Sequence, residues 1–138
     1  MSIRHGIISK LKGTTAVSDI VGTRVSGVWR DAGGTLPAIT VTIVGGGTQD
    51  YHLGGDGELA HDRLQVDCWA ADTVTTAQLS KAARDALTGF RGSLNGVFVN
   101  SIIAGRPGDN YDPPREGEAR GIARETFDIE VTYRDEIS

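Results

Sequence analysis

Apolar and polar residues alternate with a period of two in three segments of this 138-residue chain. These segments cover residues 38–44, 62–70 and 122–134, and a further, mostly apolar segment covers residues 94–104. Leu64, Val66 and Cys68 fall on one side of the second segment, and the residues between them are polar. Side chains alternate across a strand in this way when only one face of its sheet is buried. The pattern therefore predicts four strands, and it restricts the fold to one built around a half-buried sheet.

Apolar residues at helical spacing predict two helices and a short helical turn between them. The first helix lies within residues 3–12, and the helical turn ends at Gly22, where glycine commonly follows a helix. The main helix is predicted to begin at Asp72 or Thr73, either of which can cap its N-terminus, and to end near Gly89. A stripe of leucine and alanine residues gives this helix an apolar side.

The order of elements is α-β-β-α-β-β, which favours an α+β fold. We expect a mostly antiparallel four-stranded sheet with the helices packed on one face, because one helical layer can then cover the apolar side of every strand. The first two strands are expected to pair as a hairpin with a long loop. The length is typical of one domain and the composition does not shift along the chain, so residues 1–138 are predicted to form a single domain.

Most of the 19 glycines fall in two segments, residues 45–57 and 105–121. Glycine is conformationally permissive, so mobile loops are predicted at about 45–60 and 105–121. The first segment has no phosphate-loop pattern, and no predicted helix starts directly after it. The second places Asp109, Asn110 and Asp112 before a proline pair, which is typical of turns and does not match the spacing of a calcium loop.

The formal net charge of −4 argues against broad binding to nucleic acid, which requires a surplus of lysine and arginine on one face. The N-terminal segment lacks the apolar core of a signal peptide, and no stretch of about 18 apolar residues is present. We therefore expect a soluble protein made in the cytoplasm. The single cysteine, Cys68, cannot form an internal disulfide, which favours a reducing compartment.

No arrangement of residues indicates catalysis or metal binding. The histidines His5, His52 and His61 are scattered and show no metal-ligand spacing. Cys68 could act as a nucleophile with His52 or His61 as its base. However, Cys68 lies on the apolar face of its predicted strand, where a thiolate would be poorly solvated, so a core cysteine is favoured. We expect no cofactor, no metal and no enzymatic activity. A small enzyme or ligand-binding α+β module with its site in the glycine segments stays open as the alternative.

Trp69 is the one large aromatic residue that the alternation places on the polar side of its strand. An uncovered ring there would be a sticky spot on the surface. Either a loop of the same chain or a partner covers it, and both readings stay open at this point.

Four stretches of sequence have a family resemblance. They are residues 20–25 with the proline-led strand 36–41, the run Leu-Gln-Val-Asp-Cys-Trp-Ala at 64–70 with the alanine-rich helix that ends near 87–92, the loop 109–113, and the closing strand 127–134. Together they resemble the tail completion or tail terminator family of long-tailed bacteriophages over nearly the whole chain. The run at 64–70 with its helix is the most specific part. The segment of residues 26–35 departs from the family pattern, because it is longer and richer in glycine than the resemblance leads us to expect.

The resemblance implies a structural virion protein of the neck. Such a protein forms a ring, commonly a hexamer, at the head-proximal end of the tail tube, stops tail growth and provides the surface that meets the head. The implied partners are further copies of the chain, the tail tube protein and a head–neck connector protein, with DNA passing through the lumen without specific binding and no membrane. The implied location is the virion, after assembly in the host cytoplasm. Another neck component, a connector or adaptor, is the nearest alternative.

We hypothesise that the two glycine-rich segments become ordered on contact with the tail tube or the head. We also hypothesise that the negative net charge keeps the lumen of the ring from binding DNA. The candidate assembly residues are Gly45, Gly46, Gly47, Asp50, Tyr51, Gly54, Gly55, Trp69, Asp109, Tyr111, Asp112 and Arg115.

Overall fold

A computed structural model describes residues 3–27, 35–51, 58–112 and 122–135. Within these ranges the chain forms three helices and seven strands. In chain order they are α1 (Ile3–Lys12), α2 (Thr15–Val21), β1 (Val25–Gly27), β2 (Ala38–Tyr51), β3 (Glu58–Ala70), α3 (Thr73–Leu87), β4 (Gly92–Leu94), β5 (Val97–Ala104), β6 (Gly108–Asp112) and β7 (Ile122–Asp135).

The strands form one mixed sheet in the order β1-β2-β3-β7-β5-β4, and β6 pairs with β7 beyond the end of β5. The pair β1–β2 is parallel, and the other pairs are antiparallel. The predicted four-stranded sheet is therefore wrong. The additional strands β1, β4 and β6 have three, three and five residues, which is too short for alternation to reveal them in the sequence.

The hairpin of β2 and β3 is longer than predicted, and much of its expected loop is strand. Residues 45–51 continue β2 and pair with residues 58–63 of β3. The register shifts between Ile43 and Gly45 and again between Gly46 and Thr48, so bulges absorb the glycine-rich sequence. Gly45 has a φ of +151°, which side-chain-bearing residues rarely adopt. Residues 52–57 lie outside the described ranges.

The second glycine-rich segment also contains a strand where a loop was predicted. Residues 108–112 form β6 and pair with residues 122–126 of β7. The pairing is possible because β7 is 14 residues long and β5 occupies only its C-terminal half. Residues 113–121 lie outside the described part of the chain.

The prediction of the main helix is confirmed, with α3 spanning Thr73–Leu87. Asp72 is its N-cap, and its carboxylate accepts a hydrogen bond of 2.8 Å from the backbone N–H of Thr75. This bond stabilises the charged form and lowers the pKa of Asp72 from its ordinary value. The cap starts α3 directly after β3, so the helix turns back over the sheet.

All three helices contribute to one apolar core with a single face of the sheet. Leu64, Val66 and Cys68 of β3 and Phe127 and Ile129 of β7 are almost fully buried in it. The helix residues in the same core are Ile3, Ile7, Leu11, Val17, Val21, Leu79, Ala83 and Leu87. Removal of this apolar surface from water is the main favourable term in folding. The other face of the sheet is consequently free to carry polar chemistry.

Candidate interaction surface

The sheet face opposite the helices, here called the outer face, consists of the strand residues that alternate with the core. On β3 and β7 these residues are Arg63, Gln65, Asp67, Trp69, Arg124, Thr126, Asp128 and Glu130. The antiparallel register places Asp67 opposite Thr126 and Trp69 opposite Arg124. Residues that are directly opposite on one face have Cβ atoms within reach of each other, so the register decides which polar groups meet.

Asp67 is the centre of a hydrogen-bonded network on the outer face. Its carboxylate accepts a 2.5 Å bond from the Thr126 hydroxyl and bonds of 3.0 and 3.2 Å from Nε2 of Gln65. One guanidinium nitrogen of Arg124 lies 3.6 Å from the same carboxylate. The side chain of Asp67 is only 6% exposed, so these donors replace water around a buried charge.

Trp69 is buried within the chain itself, with 7% of its surface exposed. Its indole N–H donates a 3.0 Å hydrogen bond to the hydroxyl of Thr40, which is fully buried. The guanidinium of Arg124 lies 5.1 Å from the ring centre, within the range of a cation–π contact. Of the two readings of this residue, the structure has the one in which the same chain covers it.

A cavity of about 650 Å³ opens on the outer face where β5 gives way to β6. It forms because residues 105–107 separate the two strands, while the Gly105 N–H keeps the chain on β7 through a 2.7 Å bond to the Asp128 carbonyl. Its lining residues are Gln65, Gly105, Arg106, Gly108, Asp109, Arg124, Thr126, Phe127 and Asp128. Two guanidinium groups, of Arg106 and Arg124, and two carboxylates, of Asp109 and Asp128, therefore give the cavity a polar lining of both charges.

A second, smaller cleft of about 220 Å³, here called the Ile103 cleft, lies near the opposite end of the strands. It is lined by His61, Asp62, Arg63, Ile103, Glu130, Val131 and Thr132. A 3.0 Å hydrogen bond joins Nδ1 of His61 to the Thr132 hydroxyl. The cleft therefore combines an exposed aliphatic residue with a polar rim.

The residues predicted for assembly do not gather at one site. Gly45, Gly46, Gly47, Asp50 and Tyr51 lie in the distal half of β2. Asp109, Tyr111 and Asp112 lie in β6, and Asp109 lines the larger cavity. Gly54, Gly55 and Arg115 fall outside the described residues.

The two groups lie at opposite ends of the sheet, measured along the strands. Tyr51 pairs with Glu58 at the end of the sheet where β7 finishes. Asp112 pairs with Ile122, at the start of β7. The two groups are therefore on two separate surfaces, here called the hairpin end and the β6 end.

Sequence reasoning missed the network of Asp67, Gln65, Arg124 and Thr126. Their polar positions in the alternating runs were visible, but only the register of β3 against β7 shows that they meet. Sequence reasoning also missed the exposure of Ile103, because this residue lies in an apolar run that resembles a core strand.

The structure gives no support to catalysis by the cysteine. Cys68 is buried, which confirms the prediction of a core cysteine. Burial raises the pKa of its thiol far above the ordinary value, and the charges of Glu125 and Asp67 raise it further. Among the described residues there is no group of histidine, cysteine and carboxylate side chains that would hold a metal ion. No helix in these ranges is long and apolar enough to cross a membrane.

Comparison with known proteins identifies a family and solved structures of similar fold. The family described as tail completion protein gp17 matches residues 5–134. A chain from the virion of a native gene transfer agent particle is similar in fold, with a TM-score of 0.63, 16% sequence identity, and coverage of 93% of this chain and 91% of that chain. No curated protein matches.

Replacement of Asp67 by alanine will lower the free energy of unfolding by about 3 kcal/mol, because Arg124, Thr126 and Gln65 lose a buried acceptor. Asp67→Asn keeps the shape and will cost less. The matched control is Asp85→Ala, which removes an exposed carboxylate paired with Lys81 at 2.8 Å and will cost about 0.5 kcal/mol. Urea unfolding followed by circular dichroism measures all three. Equal effects of Asp67→Ala and Asp85→Ala would contradict the role given to Asp67.

Proposed function

We propose that this chain, which belongs to the family of tail completion protein gp17, assembles as a closed ring at the head-proximal end of a tail tube. The ring stops growth of the tube and offers the surface that the head joins. The observation that carries the proposal is the family match, which extends over residues 5–134 and so includes all helices and strands except the first two residues of α1 and the last residue of β7. As a member of this family the protein is a phage tail structural protein with its place in the virion.

The two ends of the sheet support a position between two partners. The hairpin end carries Asp50 and Tyr51, and the β6 end carries Asp109, Tyr111 and Asp112. A ring subunit in the neck has one partner below it and another above it. We assign one end to the tail tube protein and the other to the head–neck connector protein. Both ends are rich in glycine, whose conformational freedom would let each surface adapt to its partner.

The rest of the chemistry fits a binding role without a catalytic step. The buried carboxylate of Asp67 and the half-buried guanidinium of Arg124 lie close together on the outer face, and Asp67 also accepts a hydrogen bond from Thr126. Cys68 is buried in the core. The net charge of −4 fits a lumen through which DNA passes without being bound, because the negative charges of the protein weakly repel the phosphates of DNA.

Light scattering across a concentration series, with negative-stain images of the same samples, will give a closed ring at roughly six times the monomer mass if the ring has the stoichiometry common in the family. If the free chain is a monomer, tail tubes purified without this protein are added. The expected result is then a ring at one tip of each tube, and tubes that stay bare and continue to grow would contradict the proposal.

Two double variants are compared, Asp50→Ala with Tyr51→Ala at the hairpin end and Asp109→Ala with Tyr111→Ala at the β6 end. Each will lose binding to one partner, the tail tube or the head, and the lost partner will differ between the two variants. Pull-down of tail tubes and of filled heads by each variant separates the two. Val74→Ala, which alters an exposed residue of α3, is the control and will keep both attachments. Loss of the same partner by both pairs would show that the ends are not divided in this way.

A further inference from the structure

Two arginine side chains share one aromatic ring on the outer face, where β5 lies beside the end of β7. Phe98 stands between Val97 and Val99 of the core, so alternation puts its ring on the outer face, opposite Arg134 of β7. The Cζ atom of Arg134 lies 5.0 Å from the ring centre, and the Cζ atom of Arg91 lies 5.5 Å from it. Both distances are within the range of a cation–π contact. These three side chains are here called the Phe98 site.

The Phe98 site is built on rigid elements of the fold. β7 and β4 lie on opposite sides of β5, and Arg91 directly precedes β4. A tight turn joins β4 to β5, and its residues Asn95 and Gly96 both have positive φ angles. Nδ2 of Asn95 donates a 2.8 Å hydrogen bond to the Ser9 hydroxyl, which ties this turn to α1. A site fixed in this way loses little conformational entropy when a partner binds.

No carboxylate neutralises Arg91 or Arg134 within the described ranges. Both side chains are exposed, and neither guanidinium has an ion pair or a hydrogen bond to the part of the chain that the structure describes. Three cationic residues elsewhere lie within 3.8 Å of a carboxylate oxygen, namely Arg63, Lys81 and Arg124. Carboxylates are not scarce, because the chain has 18 acidic and 14 basic residues. The two guanidinium groups are therefore accessible to a carboxylate of another molecule.

The chemistry of the site fits an acidic segment of another protein. A guanidinium that lies over a ring keeps N–H groups at its edge, and these can bind a carboxylate through two parallel hydrogen bonds. Arginine and aromatic residues also supply much of the binding energy at protein interfaces. Nucleic acid fits less well, because its binding requires a surplus of cations on one face and the chain has a net charge of −4.

The Phe98 site lies at the hairpin end, since Arg134 is the penultimate residue of β7. We propose that Arg91 and Arg134 bind an acidic segment of the protein that attaches at this end, and that Phe98 holds both guanidinium groups in place for its carboxylates. This inference rests on the proposed function, which assigns the hairpin end to one of the two neck partners. It adds the chemistry by which that partner is recognised.

An acidic probe tests the site without any virion protein. Fluorescence anisotropy at low ionic strength measures binding of a dye-labelled oligoglutamate peptide to the purified chain. The double variant Arg91→Gln with Arg134→Gln will weaken binding roughly tenfold, because two charge-assisted contacts are lost. The matched control, Lys81→Gln with Arg106→Gln, removes the same charge at two exposed residues and will bind as the wild type does. Equal affinities of all three chains would overturn the site.

An oligothymidine of the same charge distinguishes carboxylates from phosphates as the ligand. Under the same conditions it will bind more weakly than the oligoglutamate peptide. An oligothymidine that binds more tightly than the peptide, and that the double variant of Arg91 and Arg134 releases, would overturn the acidic protein segment as the occupant and indicate nucleic acid.

Pull-down of tail tubes and of filled heads separates this inference from the proposed function. The double variant of Arg91 and Arg134 will lose the same partner as Asp50→Ala with Tyr51→Ala and will keep the other partner. A double variant that retains both partners of the wild type would overturn the inference and leave the proposed function in place. A wild-type chain that binds neither tubes nor heads would overturn the proposed function and the partner named here, while the oligoglutamate titration would still report on the Phe98 site.

Discussion

β3 and β7 lie side by side from Ala60 opposite Tyr133 to Ala70 opposite Ala123, without a bulge between them. This pairing assigns every residue of both strands to a face. A slip of one residue would put Gln65 and Asp67 under the helices and turn Leu64 and Val66 outward. The apolar core opposes such a one-residue slip, because the observed register buries Phe127 and Ile129 together with Leu64. The hydrogen bond from Thr126 to Asp67 on the outer face stabilises the same register.

From this fixed centre the sheet offers two kinds of surface. Along the strands it has two ends, and the longer strands β2 and β7 extend them beyond the core. Across the strands it has two sides, each finished by a strand of only three residues. A ring in the neck of a phage needs contacts in both directions, with copies beside the subunit and other proteins above and below it. The proposed function uses the ends for other proteins.

The long elements could be predicted from the sequence because each carries a periodic signal. Alternation indicated β2, β3 and β7, and the capped stripe of leucine and alanine indicated α3. The short strands β1, β4 and β6 carry no period, and their pairing depends on neighbours distant in sequence. Glycine led to the expectation of loops at residues 45–51, where bulges let the strand continue instead. The network of Asp67 and the exposure of Ile103 required the register and the sheet order, which no local pattern contains.

The most direct test of the central claim is a cryo-electron microscopy reconstruction of the head-proximal end of the assembled tail. We predict a closed ring of this chain between the tail tube and the head. A tail end without this chain, or one on which its copies form no closed ring, would contradict the account.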